Sequence, residues 1–355
     1  MNLPAEFIAN IQNKFGEEGK VFLANLPALI GEAAQRWGLS EINPVENLSY
    51  NFVAYAFRAS TALPVGRSAS QENTGTSQRE EVVLKIGVPD RELRSEIAAL
   101  RLFNGEGAVR LLEADESRCM FLLERVNPGM MLSTLGDDEQ ATHIAADVML
   151  KLWQPVNLES DGLPSETKEH TLTGTRVPGL QNLIKLSDWF EGFNRLRALY
   201  GGGTGPLDKK LIAKAEGIVR NFFAEDYTPT LIHGDFHHYN ILSSTRGCTA
   251  GVMPAALRSG GTKPPGWLVI DPKGVIGPAA YEVGPFLLNP WVEPLNESRF
   301  KVQTKKRIDI LSERLGFERE RIRNWGFAHA VLSAFWSIED QGDPSYAIRC
   351  AELLL

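Results

Sequence analysis

The stretch Leu231–Leu242, LIHGDFHHYNIL, and the WLVID of residues 267–271 decide the fold between them. An apolar pair delivers His233-Gly234-Asp235, Asn240 follows five residues after the aspartate, and a second apolar pair closes the run. WLVID is an apolar strand that ends in an acid, Asp271. A carboxylate, an amide at +5 and a second carboxylate at a strand end suit phosphoryl transfer. One acid orients and deprotonates a hydroxyl, while the amide and the other acid hold Mg²⁺ on nucleotide phosphates. Hard Mg²⁺ takes oxygen ligands, so neither thiolates nor a histidine cage is required. The cluster His233, Asp235, His237 and His238 also admits a metallohydrolase with nitrogen ligands. Only two histidines precede it and one follows, with no completing cluster. His233 itself reads as a buttress of the loop rather than a proton carrier.

Two further parts of the protein-kinase plan lie upstream. Lys85 sits in the strand VVLKI (82–86), which would place its ammonium over nucleotide phosphates. Glu96, eleven residues on in ELRSEIAAL, is placed to pair with it. Singly, a strand lysine and a helix glutamate read as solvated surface. In order with H-G-D-x-x-x-x-N and V-I-D, the four parts support one another.

Outward from these stations, residues 4–39 are helical by spacing: Phe7, Ile8, Ile11 and Phe15, then Leu26, Leu29, Ile30, Ala33 and Trp37. Strands are expected over 48–59, 81–86, 109–113 and 120–126, with a helix over 89–103 and a turn at Asn127-Pro128-Gly129. Polar stretches at 60–79 and 243–266 read as long surface loops. Helices follow over 138–153, 179–200 and 207–225, with GGGTG (201–205) a helix break rather than a phosphate loop. Residues 301–324 form a helix whose eight basic and four acidic residues read as a solvated face. No internal repeat is present.

The chain has 355 residues and a formal charge of −7, which argues against a general nucleic-acid binder. Cys119, Cys248 and Cys350 are an odd, widely spaced set, giving neither a disulfide framework nor a cysteine zinc site. The first twenty residues carry acids and lack a signal-peptide core, and no run approaches a membrane span. The expectation is a cytoplasmic protein without membrane or nucleic-acid partners.

With these motifs in hand, the chain resembles the aminoglycoside phosphotransferases, in the branch of streptomycin 6-kinase and hydroxyurea phosphotransferase. The resemblance runs through GKVFLANLPALIGEAAQRWGL (19–39), LFNGEGAVRLLEAD (102–115), FLLERVNPGMML (121–132) and AVLSAFWSIEDQG (330–342). It is most specific in LIHGDFHHYNIL and in WLVIDPKGVIGPAAYEVGPFLLNP (267–290), where Asp-Pro-Lys-Gly marks the branch. The implied fold is α+β, a bilobed protein-kinase-like architecture. A small β-rich N-lobe would span 1–126, including the N-terminal helices, and a mostly helical C-lobe 127–355. By matched position Asp235 would be the catalytic aspartate, Asn240 and Asp271 the Mg²⁺ ligands, and Lys85 and Glu96 the phosphate-anchoring pair. Glu124–Val126 would be the hinge that holds adenine, with Glu124 and Val126 supplying backbone groups. Ser49, Tyr50 and Asn51 occupy the nucleotide-loop station, which lacks the Gly-x-Gly-x-x-Gly of protein kinases. Glu282 stands where the family has aspartate, as a brace for the catalytic loop, and Lys273 stands where protein kinases have an aromatic residue.

For the acceptor, Glu339, Asp340 and Asp343, with Trp336 beside them, form an acidic group able to attract a guanidinium or ammonium sugar. The competing reading is that these acids end a helix in solvent and that Trp336 is core. The expected activity is ATP- and Mg²⁺-dependent O-phosphorylation of a small molecule by a monomer or dimer. A streptomycin-type aminocyclitol phosphorylated at position 6, giving antibiotic resistance, is the leading acceptor. Hydroxyurea or another hydroxylated metabolite is the alternative.

Overall fold

The computed structural model describes residues 3–59, 79–156, 180–246, 266–291 and 294–355. Most of both expected surface loops, and Cys248, lie outside these residues. The chain divides into two compact units: residues 1–97 with 110–125, and residues 98–109 with 126–355.

In the first unit α1 (Ala5–Trp37) leads into β1 (Leu39–Pro44), β2 (Phe52–Ala59), β3 (Arg79–Ile86), the start of α2 (Arg91–Phe103), β4 (Leu111–Asp115) and β5 (Met120–Glu124). The strands form an antiparallel sheet in the order β1-β2-β3-β5-β4. Helix α1 breaks at Gly16, whose φ of +54° only glycine adopts cheaply. The break lies between the two apolar sets seen in the sequence, and each packs its own face: Phe7 and Ile11, then Phe22, Leu26 and Ala33. These residues cover Phe52, Ala54, Ala56, Val82, Leu84 and Ile86 of the sheet. Alternation in β2, with Tyr55 outward, follows from the two-residue period of a strand. Two expectations change here. The helix expected over 4–39 ends at Trp37 and residues 39–44 form a strand, and the strand expected over 48–59 begins at Phe52.

The second unit contains a three-stranded sheet, β11-β10-β6, and a four-stranded one, β7-β9-β12-β8. Its strands are β6 (Pro128–Met131), β7 (Gln154–Pro155), β8 (Ile184–Lys185), β9 (Thr230–Ile232), β10 (Ile241–Ser244), β11 (Gly266–Val269) and β12 (Val275–Gly277). Around them lie α3 (Asp138–Leu152), α4 (Leu186–Phe190), α5 (Gly192–Leu199), α6 (Lys209–Ala224), α7 (Val283–Leu288), α8 (Glu297–Leu315), α9 (Arg319–Glu339) and α10 (Ser345–Leu354). The turn expected at Asn127–Gly129 runs into a strand, because β10 offers Leu242 and Ser244 as partners for Met131 and Pro128. The helix expected over 179–200 is interrupted: β8 pairs with β12 before α4 begins. Residues 98–109 go with this unit because Val109 N donates to Val269 O and Val269 N donates to Gly107 O.

The basic stretch 301–324 is two helices, broken at Gly316 in the left-handed conformation. It is also not a wholly solvated face. Arg307 is 4% exposed; its guanidinium grips Asp138 at the start of α3 and donates to the carbonyls of Phe286 (3.3 Å) and Asn289 (2.5 Å). Lys306–Glu139 and Arg314–Asp147 extend the seam between α8 and α3. Those exposed pairs contribute little, whereas a buried guanidinium without its carboxylate is costly. Asp138→Ala is therefore expected to lower the unfolding free energy by about 3 kcal/mol in urea titrations. A change below about 0.5 kcal/mol would show that Arg307 does not depend on that partner.

Candidate active site

In the first unit Lys85 occupies the central strand, paired across the sheet with Val53 and Phe121. Its Nζ lies 2.7 Å from both carboxylate oxygens of Glu96, and the two side chains are 4% and 7% exposed. In a pair buried this far, each partner offsets the desolvation of the other. The Ser49–Asn51 turn lies between β1 and β2 in the same unit, and the Asn51 side chain packs against Gly87, just past the end of β3. At the expected hinge, the Glu124 N–H donates to Arg110 O and its carboxylate accepts from Arg110 N. The Glu124 amide is thus occupied, while Val126 makes no hydrogen bond among the described residues.

In the second unit the loop after β9 carries His233, Gly234 and Asp235, and its shape is imposed from beneath. Glu282, in the turn before α7, accepts from the His233 N–H with Oε2 (2.6 Å) and from the Gly234 N–H with Oε1 (2.9 Å). Burial pushes the Glu282 carboxyl up to about 8, against the pull of those two amides. The imidazole of His233 is fully buried. It accepts the Asp235 N–H at Nδ1 (3.2 Å), so Nε2 holds the proton and donates to Ile270 O (2.8 Å). Lys273 N donates to His233 O (2.7 Å), closing the loop against the segment after β11. Gly234 has φ +87°, and a Cβ there would stand 2.7 Å from Val275 and 2.8 Å from Trp189. Only glycine satisfies both demands.

Asp235 emerges from this support with its side chain 39% exposed. Burial of its surroundings works to raise its pKa. The hydrogen bond and charge of His237, then the charge of Lys273, outweigh that and hold the carboxyl well below the usual carboxylate range. His237 Nε2 lies 3.4 Å from Asp235 Oδ1 and 3.3 Å from Asn240 Nδ2. Asn240 Nδ2 donates to Asp235 O (3.0 Å), and Asn240 Oδ1 accepts nothing among the described residues. The Ile270 N–H donates to Asn240 O (2.9 Å), setting the next residue, Asp271, beside it. Asp271 is exposed, with a left-handed φ of +57°, a strained conformation of the kind found at functional sites. One free amide oxygen and one exposed carboxylate are hard donors that fit Mg²⁺, which completes its shell with phosphates and water. The histidines do not form a nitrogen cage. His233 Nε2 is taken by Ile270, and His238 is stacked on Phe286 with both ring nitrogens buried. Among the described residues no group of three or more His, Cys, Asp or Glu side chains is placed to hold a metal ion.

The acidic group near the end of α9 is arranged differently from the expectation. Glu339 is held by Arg195 through two hydrogen bonds (2.9 and 3.2 Å), and Asp343 accepts the Ser345 N–H at the start of α10. Asp340 caps α9 at the surface. Trp336 is partly buried and meets Trp189 edge-on at 5.4 Å. Sequence reasoning did not find Trp189, His237 as the partner of Asp235, or His329. His237 was recoverable from its i+2 spacing to the aspartate, whereas the other two approach only through tertiary folding.

A β-sheet unit bearing a buried lysine–glutamate pair and a helical unit bearing the H-G-D-x-x-x-x-N loop define the bilobed, protein-kinase-like phosphotransferase class. Residues 58–341 match the model of the aminoglycoside/hydroxyurea antibiotic resistance kinases, and the chain belongs to that family, whose members transfer phosphate to hydroxyl acceptors. It is 27% identical to streptomycin 6-kinase of Streptomyces glaucescens, over all of this chain and 97% of that one. It is 29% identical to hydroxyurea phosphotransferase of Kitasatospora aureofaciens, over all of this chain and 86% of that one. A solved choline/ethanolamine kinase family protein from Mesorhizobium loti shares the fold: TM-score 0.53, 13% identity, 95% of this chain and 94% of that one. An aminoglycoside phosphotransferase solved with ADP and hygromycin B does likewise: TM-score 0.51, 12% identity, 91% of this chain and 97% of that one. No helix among the described residues is long and apolar enough to cross a membrane.

The buried groups set a pH profile for stability. Burial lowers His233 and His329 to about 4, so below pH 6.5 the unfolded chain binds two protons that the native state does not. Stability from these groups is complete above pH 6.5 and falls by roughly 3 kcal/mol each by pH 4. Glu282 acts oppositely, holding a native proton between about pH 4.5 and 8, so its contribution declines as pH rises through that window. Urea unfolding across pH 4–9 should give maximum stability near pH 6.5. A profile rising steadily to pH 9 would contradict these assignments.

Proposed function

We propose that this enzyme transfers the γ-phosphoryl group of ATP, with Mg²⁺, to a hydroxyl of a small molecule, with Asp235 as the catalytic base. The observation that carries this reading is the pinned, partly exposed and strongly ionised Asp235, with the free oxygen of Asn240 and the Asp271 carboxylate on the same support. Asp235 accepts a hydrogen bond from the acceptor hydroxyl and orients it for in-line attack. Its low proton affinity suits a loose transition state, in which the hydroxyl proton leaves late and positioning outweighs basicity. His237 steadies the carboxylate from one side and Asn240 fixes the loop from the other. Asn240 and Asp271 would hold Mg²⁺, which when bound neutralises charge on the nucleotide phosphates. The Lys85 ammonium, aimed by Glu96, would do the same for the α- and β-phosphates. With the Glu124 amide occupied by Arg110, Val126 is the hinge residue with backbone groups left for adenine. Ser49–Asn51 would flank the phosphates in the first unit.

Family membership and the streptomycin 6-kinase relative support a streptomycin-type aminocyclitol phosphorylated at a ring hydroxyl as the leading acceptor of a resistance enzyme, while the hydroxyurea phosphotransferase relative supports the alternative. One structural feature favours hydroxyurea or another uncharged acceptor. Glu339 is already neutralised by Arg195, and Asp343 is engaged at the start of α10, so that acidic group offers a cation less than its sequence suggests.

Transfer of radiolabelled γ-phosphate from ATP to streptomycin and to hydroxyurea tests the reading. Asp235→Asn should lower transfer roughly a thousand-fold while ATP affinity stays within about twofold of wild type. Full transfer by that variant would remove Asp235 from the mechanism.

A further inference from the structure

His329, in α9, is a buried histidine, 7% exposed, that the phosphoryl-transfer machinery does not use. Its Nδ1 lies 2.8 Å from the hydroxyl of Tyr281, which is fully buried and has no other partner among the described residues. A buried phenol keeps its proton, and burial does raise the Tyr281 pKa well above its ordinary value. With only one acceptor in reach, that proton points at Nδ1. The imidazole therefore carries its own proton on Nε2. Burial also keeps the ring neutral, at about 4. Nε2 has no hydrogen-bond partner among the described residues, yet unlike both nitrogens of His238 it is not sealed from solvent. Evolution of a core histidine normally satisfies both nitrogens; here one is fixed and the other is left open.

The open nitrogen lies in the field of the catalytic loop. The charges felt by His329 are those of Asp235 and then His237. Trp336 stands edge-on to the His329 ring at 6.0 Å and to Trp189 at 5.4 Å. Trp189 also stands edge-on to Tyr281, and its ring tip closes on Gly234, next to Asp235. Two partly buried tryptophans, a histidine and a tyrosine thus form one cluster that reaches the loop at Gly234, next in sequence to Asp235, and presents a single fixed N–H.

We propose that His329 is an acceptor-binding residue: its Nε2–H donates to an oxygen on the acceptor adjacent to the hydroxyl that Asp235 orients, and Tyr281 positions it by fixing the tautomer. Trp189 and Trp336 wall the same side against the carbon skeleton of the acceptor. The chemistry read is an oxygen lone pair one or two atoms from the reacting hydroxyl. A vicinal diol of a cyclitol has it, and so does the carbonyl of an N-hydroxyurea. The inference rests on Asp235 being the base and adds the group that would read the neighbouring oxygen.

The test uses the full chain, with streptomycin or hydroxyurea varied at saturating ATP and then ATP varied at saturating acceptor. The variants are Tyr281→Phe, His329→Gln, and the double variant Tyr281→Phe with His329→Phe, which leaves no buried hydroxyl without a partner. Nitrogen-15 NMR of the histidine rings of the wild type should show His329 neutral and protonated at Nε2. In the double variant kcat/KM for the acceptor should fall roughly tenfold while the KM for ATP stays within about twofold. His329→Gln, whose amide can accept from Tyr281 and donate outward, should recover much of that loss. Tyr281→Phe should give a smaller fall, with Nδ1–H signal appearing in the NMR spectrum. The arm that shows the effect, streptomycin or hydroxyurea, identifies the source of the oxygen. A wild-type ring protonated at Nδ1 overturns the proposal. So does a double variant that matches wild type on both acceptors, or one that loses ATP and acceptor affinity together. Wild type that transfers phosphate to neither acceptor is a different failure: it refutes the proposed function, and this inference falls with it.

Discussion

Two backbone amides, those of His233 and Gly234, point from the loop after β9 into the interior and meet one carboxyl group, that of Glu282. Buried N–H groups without acceptors are costly, so the loop holds its shape only while Glu282 is beneath it. Everything above depends on that contact. The positive φ of Gly234, the turn that seats His233 against Ile270, and the emergence of Asp235 all follow from fixing these two peptide planes. The Glu282 side chain reaches both amides, one with each carboxyl oxygen. The turn between β12 and α7 supplies the carboxyl from directly beneath the loop.

The molecule keeps its buried charges in pairs and leaves few that matter to chemistry in the open. Lys85 is matched by Glu96 and Arg307 by Asp138. In each case the desolvation cost is offset by close, bidentate geometry. The formal charge of −7 therefore says little about the acceptor. Several of the acids that produce it are committed to arginines and lysines across helix seams, as Glu139, Asp147 and Glu339 are. The scale that matters is the immediate surroundings of Asp235, where His237 and Lys273 keep a single carboxylate ionised.

Much of this was legible in the sequence, for identifiable reasons. The loop 231–242, the strand ending at Asp271 and the Lys85–Glu96 spacing are local patterns, and local patterns survive in one dimension. The bilobed architecture came with the family resemblance that these patterns carry. What was missed depends on tertiary partners. Asn127-Pro128-Gly129 read as a turn because Pro-Gly is turn chemistry, but β10 recruits Pro128–Met131 as a strand. The basic run 301–324 read as solvated because nothing local reveals that α3 presents Asp138, Glu139 and Asp147 to it. Likewise Glu339 and Asp343 resembled a free acidic group until Arg195, 144 residues away from Glu339, was seen beside it. Tyr281 and His329 are 48 residues apart, and only the packing of α9 on the turn before α7 makes them a pair.

Amide hydrogen exchange at His233 and Gly234, measured alongside turnover in wild type and Glu282→Ala, tests the central claim most directly. The account predicts that these two amides exchange as slowly as core amides in wild type. In Glu282→Ala they should exchange at least a hundred-fold faster, with kcat falling by a comparable factor and ATP affinity retained, since Lys85, Asn240 and Asp271 are untouched. Amides that stay protected in the variant, with kcat unchanged, would contradict it and show that Asp235 is positioned without Glu282.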